Sequence, residues 1–385
     1  MKIQGYRRPN GQLGIRNHLL ILPTSVCATT VAFNISAQVP GAIALPNQHG
    51  CCQLGADYEQ TLRTLIGLGK NPNVAAVLVV GLGCEGIPIQ ETADEISKTG
   101  KPVQAIIIQE NSGTLKTTAL GIQIASEMAR SISLLKPEEA PLSELCLGIE
   151  CGGSDFTSGL ASNPAVGTVS DLLVRAGGTS MLSETTEFIG AEHVLAKRAK
   201  SPEIAQKLIQ IVEQTELRAK QLNVDLREGQ PTPGNIAGGI SSIEEKSLGC
   251  IYKAGHSPIQ DVLPYGEAPQ GKGLYIMDTP GQDVESMAGM LAGGATVLVF
   301  TTGRGTPTGS PIAPVIKITA NEQTYRNMED NIDMDLSTII SGEETIEQAG
   351  ERIFAEMIEV AKGRLTKSES LGHREFGIYR IGSTF

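Results

Sequence analysis

The sequence predicts an α/β protein with two domains, each built on a mainly parallel sheet that is flanked by helices. A chain of 385 residues can form more than one hydrophobic core, and 44 glycines suit the tight turns between strands and helices. Short apolar runs also alternate with helix-like stretches. These runs are rich in Val, Ile and Leu, which is typical of parallel strands buried on both faces.

The first group of apolar runs predicts an N-terminal domain over residues 1–136. Its predicted strands cover 18–24, 42–46, 74–81 and 103–108, and helix-like stretches at 58–68 and 88–98 lie between them. This alternation indicates βαβ units. A polar stretch at 136–143 contains Pro137 and Pro141, and it predicts a linker.

A second group of apolar runs predicts a larger C-terminal α/β domain over residues 144–385. The predicted strands cover 144–150, 179–183, 273–278, 296–301 and 314–320, and the predicted helices cover 169–175, 201–222 and 345–362. The segment 229–239 is expected to be irregular.

Composition excludes several classes of protein. A formal net charge of −11 opposes binding to nucleic acid, and an aromatic share of 4% disfavours base-stacking surfaces. The sequence contains neither an apolar run of membrane-spanning length nor an N-terminal segment of signal-peptide type, so we expect a cytoplasmic protein that does not enter a membrane. Seven cysteines in a chain of this length do not suggest a disulfide framework.

Four of the apolar runs end in loops that carry a cysteine. These residues are Cys27, Cys51, Cys84 and Cys151. Ligands bind beyond the carboxyl ends of parallel strands, and thiolates favour iron or zinc. The pattern therefore predicts a shared site for a soft metal, either an iron–sulfur cluster, iron as Fe²⁺ or zinc, to which His49 could add an imidazole ligand.

The alternative is that each thiol fills a small gap beneath a loop. We interpret Cys146 and Cys250 as structural for this reason and leave Cys52 unassigned.

A run of small polar residues follows the strand that ends at Cys151. Ser154, Asp155 and Asn163 belong to this run and are predicted to bind a polyhydroxylated or anionic substrate. The alternative is a glycine-rich turn with a capping Ser or Asp.

Charged residues after later strands are candidates for catalysis. Glu184 follows the strand at 179–183, together with Glu187, and could act as a general base or only cap the next helix. Lys246 and Lys253 are seven residues apart, so a helix would place them on one side, where they could hold a substrate carboxylate.

A glycine-flanked arginine, Arg304, follows the strand at 296–301 and suits a carboxylate clamp. Asn321, further along the chain, is a fourth predicted substrate-binding residue.

Seven motifs, in order from about residue 5 to the C-terminus, resemble those of the altronate and galactarate dehydratase family. They are GYRRPNGQLGIRNHLLILPT, HGCCQLG, NPNVAAVLVVGLGCE, ECGGSDFTSGLASNP, EEKSLG, GRGTPTGSPIAPVIKI and LGHREFGIYRIGSTF. Where the dehydratases tend to carry a histidine before the Gly-Cys pair, this chain has Asn47, and the nearby histidine is His49.

The resemblance implies a hydro-lyase that dehydrates altronate or a related aldonate or aldarate to a 2-keto-3-deoxy acid, typically with iron. A sister branch of the family, sulfolactate sulfo-lyase, releases sulfite and pyruvate and is the alternative. Retention of Cys27, Cys51, Cys84 and Cys151 favours the dehydratase side.

The resemblance also implies a small SAF-domain partner subunit, because many family members carry such a domain before this region. A chain that is inactive without this partner is the third possibility. We also expect a homo-oligomer.

Overall fold

The computed structural model describes residues 2–385 and confirms the predicted fold class, with parallel sheets flanked by helices. Met1, the first residue of the predicted domain 1–136, lies outside the described residues. The strands are β1 (Lys2–Arg7), β2 (Leu13–Gly14), β3 (His18–Pro23), β4 (Ala42–Ala44), β5 (Val74–Gly81), β6 (Val103–Ile107), β7 (Glu138–Pro141), β8 (Cys146–Gly152), β9 (Thr179–Leu182), β10 (Ile259–Leu263), β11 (Gly273–Met277), β12 (Val297–Thr302), β13 (Val315–Thr319) and β14 (Met334–Asp335).

The helices connect these strands and cover the sheets. They are α1 (Thr29–Gln38), α2 (Gly55–Lys70), α3 (Ile89–Ser97), α4 (Thr114–Ile132), α5 (Asn163–Arg175), α6 (Glu192–Ala196), α7 (Pro202–Gln221), α8 (Leu226–Gly229), α9 (Pro233–Ala237), α10 (Ile243–Cys250), α11 (Asp283–Ala292), α12 (Glu322–Asn327), α13 (Ser337–Ile340), α14 (Ile346–Ala361) and α15 (Lys367–Leu371).

A four-stranded parallel sheet forms the centre of the N-terminal part, in the order β4-β3-β5-β6. Alternate residues of its strands point to opposite faces. Leu19 and Ile21 pack with α1 and α4, whereas Leu20 and Leu22 pack with α2 and α3. Because both faces are covered, the central strands are continuous apolar runs.

A seven-stranded parallel sheet forms the centre of the C-terminal part, in the order β10-β11-β9-β8-β12-β13-β14. Helices α5 and α14 pack on one face of this sheet, and α11 packs on the other. Helix α11 also packs against α2, so one apolar cluster runs between the two sheets. The carboxyl ends of β8, β9, β11 and β12 lie side by side and leave room for functional loops.

The stretch predicted as a linker contains a strand. β7 pairs antiparallel with β1, and Ile3 opposite Ala140 is buried in this pair. The proline-rich composition of the stretch concealed a short strand that forms only because β1 provides a partner. The boundaries 1–136 and 144–385 stay a prediction.

The segment 229–239, expected to be irregular, includes the short helix α9, which begins with a capping box between Thr232 and Asn235. Within residues 2–385, no helix combines the length and the apolar character needed to cross a membrane.

Candidate active site

The carboxyl ends of β8 and β9 bring the predicted thiol of Cys151 next to Glu184. The backbone N–H of Cys151 donates to Glu184 Oε2 at 3.0 Å. Glu184 adopts φ 70°, a left-handed conformation that is unusual for a residue with a side chain. The 3-10 helix Thr185–Phe188 then turns Glu187 towards the same point. Local backbone strain of this kind is often found at functional sites.

Two lysines hold the two oxygens of Glu187 between them. Lys253 Nζ donates to Glu184 Oε2 at 2.6 Å and to Glu187 Oε2 at 3.1 Å, and Lys246 Nζ lies 3.2 Å from Glu187 Oε1. The Lys253 and Glu184 side chains are each 1% exposed. The spacing of seven residues therefore does place both lysines at one site, although Lys253 lies in a 3-10 helix that follows α10.

Burial and charge act in opposite directions on these groups. Burial alone would raise the pKa of Glu187, but Lys253 and Lys246 hold it well below its ordinary value. Burial would lower the pKa of Lys253, but the acidic groups of Cys151, Glu184 and Glu187 raise it. The pKa of Glu184 is raised, by burial first and then by the charge of Glu187. Glu184 is thus the carboxylate of the pair that accepts a proton more readily.

Two thiols share the cluster with Glu187. Cys151 Sγ donates to Glu187 Oε2 at 2.9 Å and lies 3.7 Å from Cys250 Sγ. Burial, followed by the neighbouring Cys250, raises the pKa of Cys151 well above its ordinary value. One ligand atom from each of Cys151, Glu187 and Cys250 lies within 4.8 Å of the other two. This cluster of two sulfurs and a carboxylate oxygen could therefore hold a soft divalent ion such as iron or zinc.

Three carboxylates form a second group of potential ligands. Glu150, Glu184 and Asp283 have oxygens within 4.8 Å of one another. Ser183 and Ser286 donate to Glu150 Oε2, but Glu150 Oε1 and Glu184 Oε1 have no hydrogen-bond partner among residues 2–385. Burial, followed by the charge of Glu184, raises the pKa of Glu150 well above its ordinary value, and burial raises that of Asp283 to about 7.

The loop after β8 is held by internal hydrogen bonds. Asp155 accepts from Thr157 Oγ1 at 2.6 Å, from Ser158 N at 3.1 Å and from Asn321 Nδ2 at 2.8 Å. Asn163 donates to Gly249 O and accepts from Thr301 Oγ1. Asp155, Asn163 and Asn321 therefore hold neighbouring segments together, and substrate binding by these residues stays a prediction.

Ser154 faces the thiol cluster, because its Oγ lies 3.5 Å from Cys151 Sγ. Ser154, Lys246 and Cys250 line a cavity of about 260 Å³, together with apolar residues such as Leu160 and Tyr252. This volume suits a small organic acid.

Arg304 is exposed and lies beside the same loop, because its backbone N–H donates to Gly153 O at 3.0 Å. The buried Lys317 fixes the following segment by donating to Pro307 O and Thr308 O. Arg304 thus projects from a fixed loop next to Ser154.

The other predicted metal ligands lie on three loops at the edge of the four-stranded sheet. Cys27, Cys51 and Cys84 are exposed thiols. Backbone hydrogen bonds join the loops: Val26 N donates to His49 O at 2.9 Å, and Gly86 N donates to Gly50 O at 3.0 Å.

These thiols do not reach the spacing of a formed metal site. Within residues 2–385, neither group of three potential ligands whose atoms lie within 4.8 Å of one another contains Cys27, Cys51 or Cys84. Cys151 belongs to the other cluster, with Glu187 and Cys250. His49 Nε2 lies 3.0 Å from Ile378 O, and burial lowers the pKa of this histidine. The predicted ligands therefore occupy two places, and metal binding stays a prediction.

Several residues of the central cluster were not predicted from the sequence. Cys250 was interpreted as structural, and Glu150 and Asp283 were not singled out. Glu150 is the single charged residue of β8, and a carboxylate in an apolar strand just before the Cys-Gly-Gly turn could have drawn attention to it. Asp283 is the first residue of α11 and looks like an ordinary N-terminal helix residue.

Family models match most of the chain. Residues 142–384 match "D-galactarate/Altronate dehydratase, C-terminal", and residues 5–133 match "D-galactarate dehydratase/Altronate hydrolase, second domain". The chain belongs to the D-galactarate/altronate dehydratase family. This result confirms the resemblance of the seven motifs.

Named relatives match over nearly the whole chain. The (2R)-sulfolactate sulfo-lyase subunit beta of Chromohalobacter salexigens is 39% identical over 98% of this chain and 97% of its own length. Altronate dehydratase of Bacillus subtilis is 35% identical over 99% of this chain and 78% of its own length. Galactarate dehydratase of Escherichia coli is 34% identical over 98% of this chain and 76% of its own length. The protein is an enzyme of the lyase class, and its dehydratase family models support the hydro-lyase type.

Proposed function

We propose that this enzyme removes water from a sugar acid, such as altronate or a related aldonate or aldarate, and forms a 2-keto-3-deoxy acid. The observation that carries the proposal is the buried contact between Lys253 and Glu184, beside Cys151 at the carboxyl ends of the strands. An acid and a base in direct contact are what an elimination needs, because one proton must leave the α-carbon and another must reach the departing hydroxide.

Glu184 removes the α-proton, and Lys253 donates a proton to the β-hydroxyl as its C–O bond breaks. Water leaves, the resulting enol becomes the keto acid, and Glu184 returns its proton to Lys253 across their 2.6 Å contact. The unpartnered Glu184 Oε1 suits the role of base, within the described chain. Glu187, held between Lys246 and Lys253, fixes both ammonium groups.

Arg304 and Lys246 orient the substrate carboxylate, and Ser154 binds a substrate hydroxyl. Neutralising the carboxylate lowers the cost of forming negative charge on the α-carbon. Because Arg304 is exposed, Arg304→Ala is expected to raise KM and to leave the melting temperature unchanged. Ser154 and Lys246 both line the 260 Å³ cavity.

The iron that the resemblance implies is proposed to bind the thiols of Cys27, Cys51 and Cys84, with His49 beside them. The support is that the three loops are hydrogen-bonded to one another and present exposed sulfur ligands. Bound iron would polarise a substrate hydroxyl or carboxylate as a Lewis acid. The buried set of Cys151, Glu187 and Cys250 is the competing location.

Two matched variants separate the iron locations. Anaerobically purified protein is expected to contain iron. The Cys84→Ser variant should lose this iron, whereas the Cys250→Ser variant should retain it. The opposite pattern would move the iron to the buried cluster, and an iron-free protein that keeps full activity after chelation would remove iron from the proposal.

A direct assay tests the reaction. Altronate, galactarate and (2R)-sulfolactate are supplied separately, and 2-keto acid and sulfite are both measured. Keto acid from a sugar acid, lost in Glu184→Gln, supports the proposal. No turnover of any sugar acid in the presence of iron and reductant would contradict it.

Sulfolactate cleavage is a second candidate, supported by one observation. The sulfo-lyase subunit is matched over 97% of its length, whereas the dehydratases are matched over 76% to 78% of theirs. Sulfite release from sulfolactate, without keto-acid formation from sugar acids, would favour this reaction.

A partner subunit is the third proposal, because one relative is named as a subunit beta. We expect a small SAF-domain chain to be needed for full activity of this cytoplasmic protein, which we also expect to be a homo-oligomer. Adding such a chain to the assay should increase turnover, and full activity of the chain alone would exclude the requirement.

A further inference from the structure

The C-terminal tail, residues 376–385, extends from the C-terminal part of the molecule onto the N-terminal part. Phe376 and Ile378 anchor it, since both are buried in the apolar cluster between the sheets. Arg218 Nη1 donates to the Tyr379 hydroxyl at 3.2 Å on the side of the C-terminal part. The residues beyond Arg380 are exposed.

The backbone of the C-terminal tail then contacts the loop that carries Cys51 and Cys52, and the helix that follows it. His49 Nε2 lies 3.0 Å from Ile378 O. Gln60 Nε2 donates to Tyr379 O at 2.7 Å. The backbone N–H of Phe385 donates to Cys52 O at 3.0 Å.

A chain of hydrogen bonds leads from the C-terminal tail to the residue before Cys51. Ile381 N donates to Asp57 Oδ1 at 2.7 Å, Gln53 Nε2 donates to Asp57 Oδ2 at 2.7 Å, and Gly50 N donates to Gln53 Oε1 at 2.9 Å. Asp57 and Gln53 are buried, so water competes little for these bonds.

The same loop connects to the other two thiol loops. Gly50 O accepts from Gly86 N, two residues after Cys84, and His49 O accepts from Val26 N, next to Cys27. The loop contains no helix or strand, and Gly50 and Cys52 adopt positive φ values of 100° and 59°. Its position therefore depends on contacts from outside.

We propose that the C-terminal tail is a positioning segment of the thiol site and holds the Cys51–Cys52 loop in the conformation that aligns it with the loops of Cys27 and Cys84. The tail acts through Asp57 and Gln53 and touches no reacting atom. The consequence is that a site in the N-terminal part of the molecule depends on residues 376–385, which extend from the C-terminal part.

Shortening the chain to end at Tyr379 tests this inference. The change removes the Ile381 and Phe385 contacts and the Arg380 side chain, which lies 3.8 Å from Asp57 Oδ2. It keeps Phe376, Ile378 and the carbonyls that His49 and Gln60 contact. Gln53→Met breaks the same connection without shortening the chain. Tyr379→Phe is the matched control, because it removes only the hydroxyl that contacts Arg218.

Three measurements on the protein as purified decide the result: the hydrogen-exchange rate of the Val26 and Gly86 backbone N–H groups, which donate to the Cys51–Cys52 loop, the iron content, and the melting temperature. We expect this exchange to become about tenfold faster in the shortened chain and in Gln53→Met, because a loop that opens more often releases both N–H groups. Iron content should fall in these two variants. Tyr379→Phe should match the unmodified protein in both respects.

Unchanged hydrogen exchange at Val26 and Gly86 in both test variants would overturn the inference. Equal acceleration in Tyr379→Phe would also overturn it, because the effect would then come from general loosening of the molecule. Only the iron measurement rests on the proposed function. An iron-free protein with faster hydrogen exchange in the two test variants would therefore reject the iron proposal and still support the tail as a positioning segment.

Discussion

Lys253 Nζ lies 2.6 Å from Glu184 Oε2, and both side chains are 1% exposed. The two residues are far apart in sequence: Glu184 lies in the loop after β9, and Lys253 lies in the 3-10 helix after α10. Removing two charges from water is costly unless each compensates the other, so a buried pair of this kind strongly constrains both groups.

Replacing Lys253 with methionine is expected to leave Glu184 and Glu187 without their shared cation. We expect a loss of about 3 to 5 kcal/mol in the free energy of unfolding and a drop in kcat of at least about 100-fold. Denaturant unfolding and steady-state kinetics measure the two effects. Lys207→Met is the control, because its ion pair with Asp261 is exposed and should contribute less than about 1 kcal/mol. Equal stability of the two variants would contradict a charged buried pair.

Asp283 predicts how stability depends on pH. Burial, and then the charges of Glu184 and Glu187, raise its pKa from 3.8 to about 7. The folded protein keeps this proton to a higher pH than the unfolded chain does, so the contribution of Asp283 is most favourable below pH 4 and is lost as the pH rises to about 7.

Asp283→Asn should therefore stabilise the protein above pH 7 by about 2 kcal/mol and have little effect at pH 4. Melting curves in chelator across this range provide the measurement, with Asp261→Asn as an exposed control. Parallel pH curves for Asp283→Asn and the unmodified protein would exclude a raised pKa at Asp283.

Gly50 is required by the backbone of the thiol loop. Its φ is 100°, and a Cβ at this position would lie 2.0 Å from Thr24 O. Gly50→Ala is expected to lower the free energy of unfolding by about 3 kcal/mol or more. Both the backbone conformation at position 50 and its close approach to Thr24 would have to change. Gly41→Ala is the matched control, since its φ is 79° but a Cβ there would meet no atom of the described chain within 4 Å, and it should cost only about 1 kcal/mol. If chemical denaturation gave the same loss in the free energy of unfolding for both variants, the loop would be able to adapt to a side chain at position 50.

Asp155 allows a structural role to be separated from substrate binding. Its carboxylate holds Thr157, Ser158 and Asn321, so Asp155→Ala should lower the free energy of unfolding by about 2 to 4 kcal/mol as well as raise KM. Asn321→Ala, which removes one of these contacts, should have a smaller effect of the same kind. A large rise in KM without any loss of stability would instead indicate direct contact with the substrate.

The sequence determined most strands of the two parallel sheets and the loops in which functional residues are predicted. The predicted strand at 74–81 coincides with β5, and the one at 18–24 differs from β3 by one residue. Such runs are predictable because a parallel strand covered on both faces must be apolar along its whole length. The position of Glu184 just after a strand was equally visible, since polar residues interrupt the apolar run there, and the spacing of seven residues between Lys246 and Lys253 indicated that they share one side.

Only the tertiary structure decided which of these loops meet. Cys250, Glu150 and Asp283 join Cys151 and Glu184 because β8, β9, α10 and α11 are neighbours in space, which the order of residues does not reveal. In the same way, the strand β7 and the hydrogen bonds of the C-terminal tail depend on partners more than 100 residues away. Local sequence sets what a segment prefers to be, whereas long-range packing and pairing set which side chains share a site.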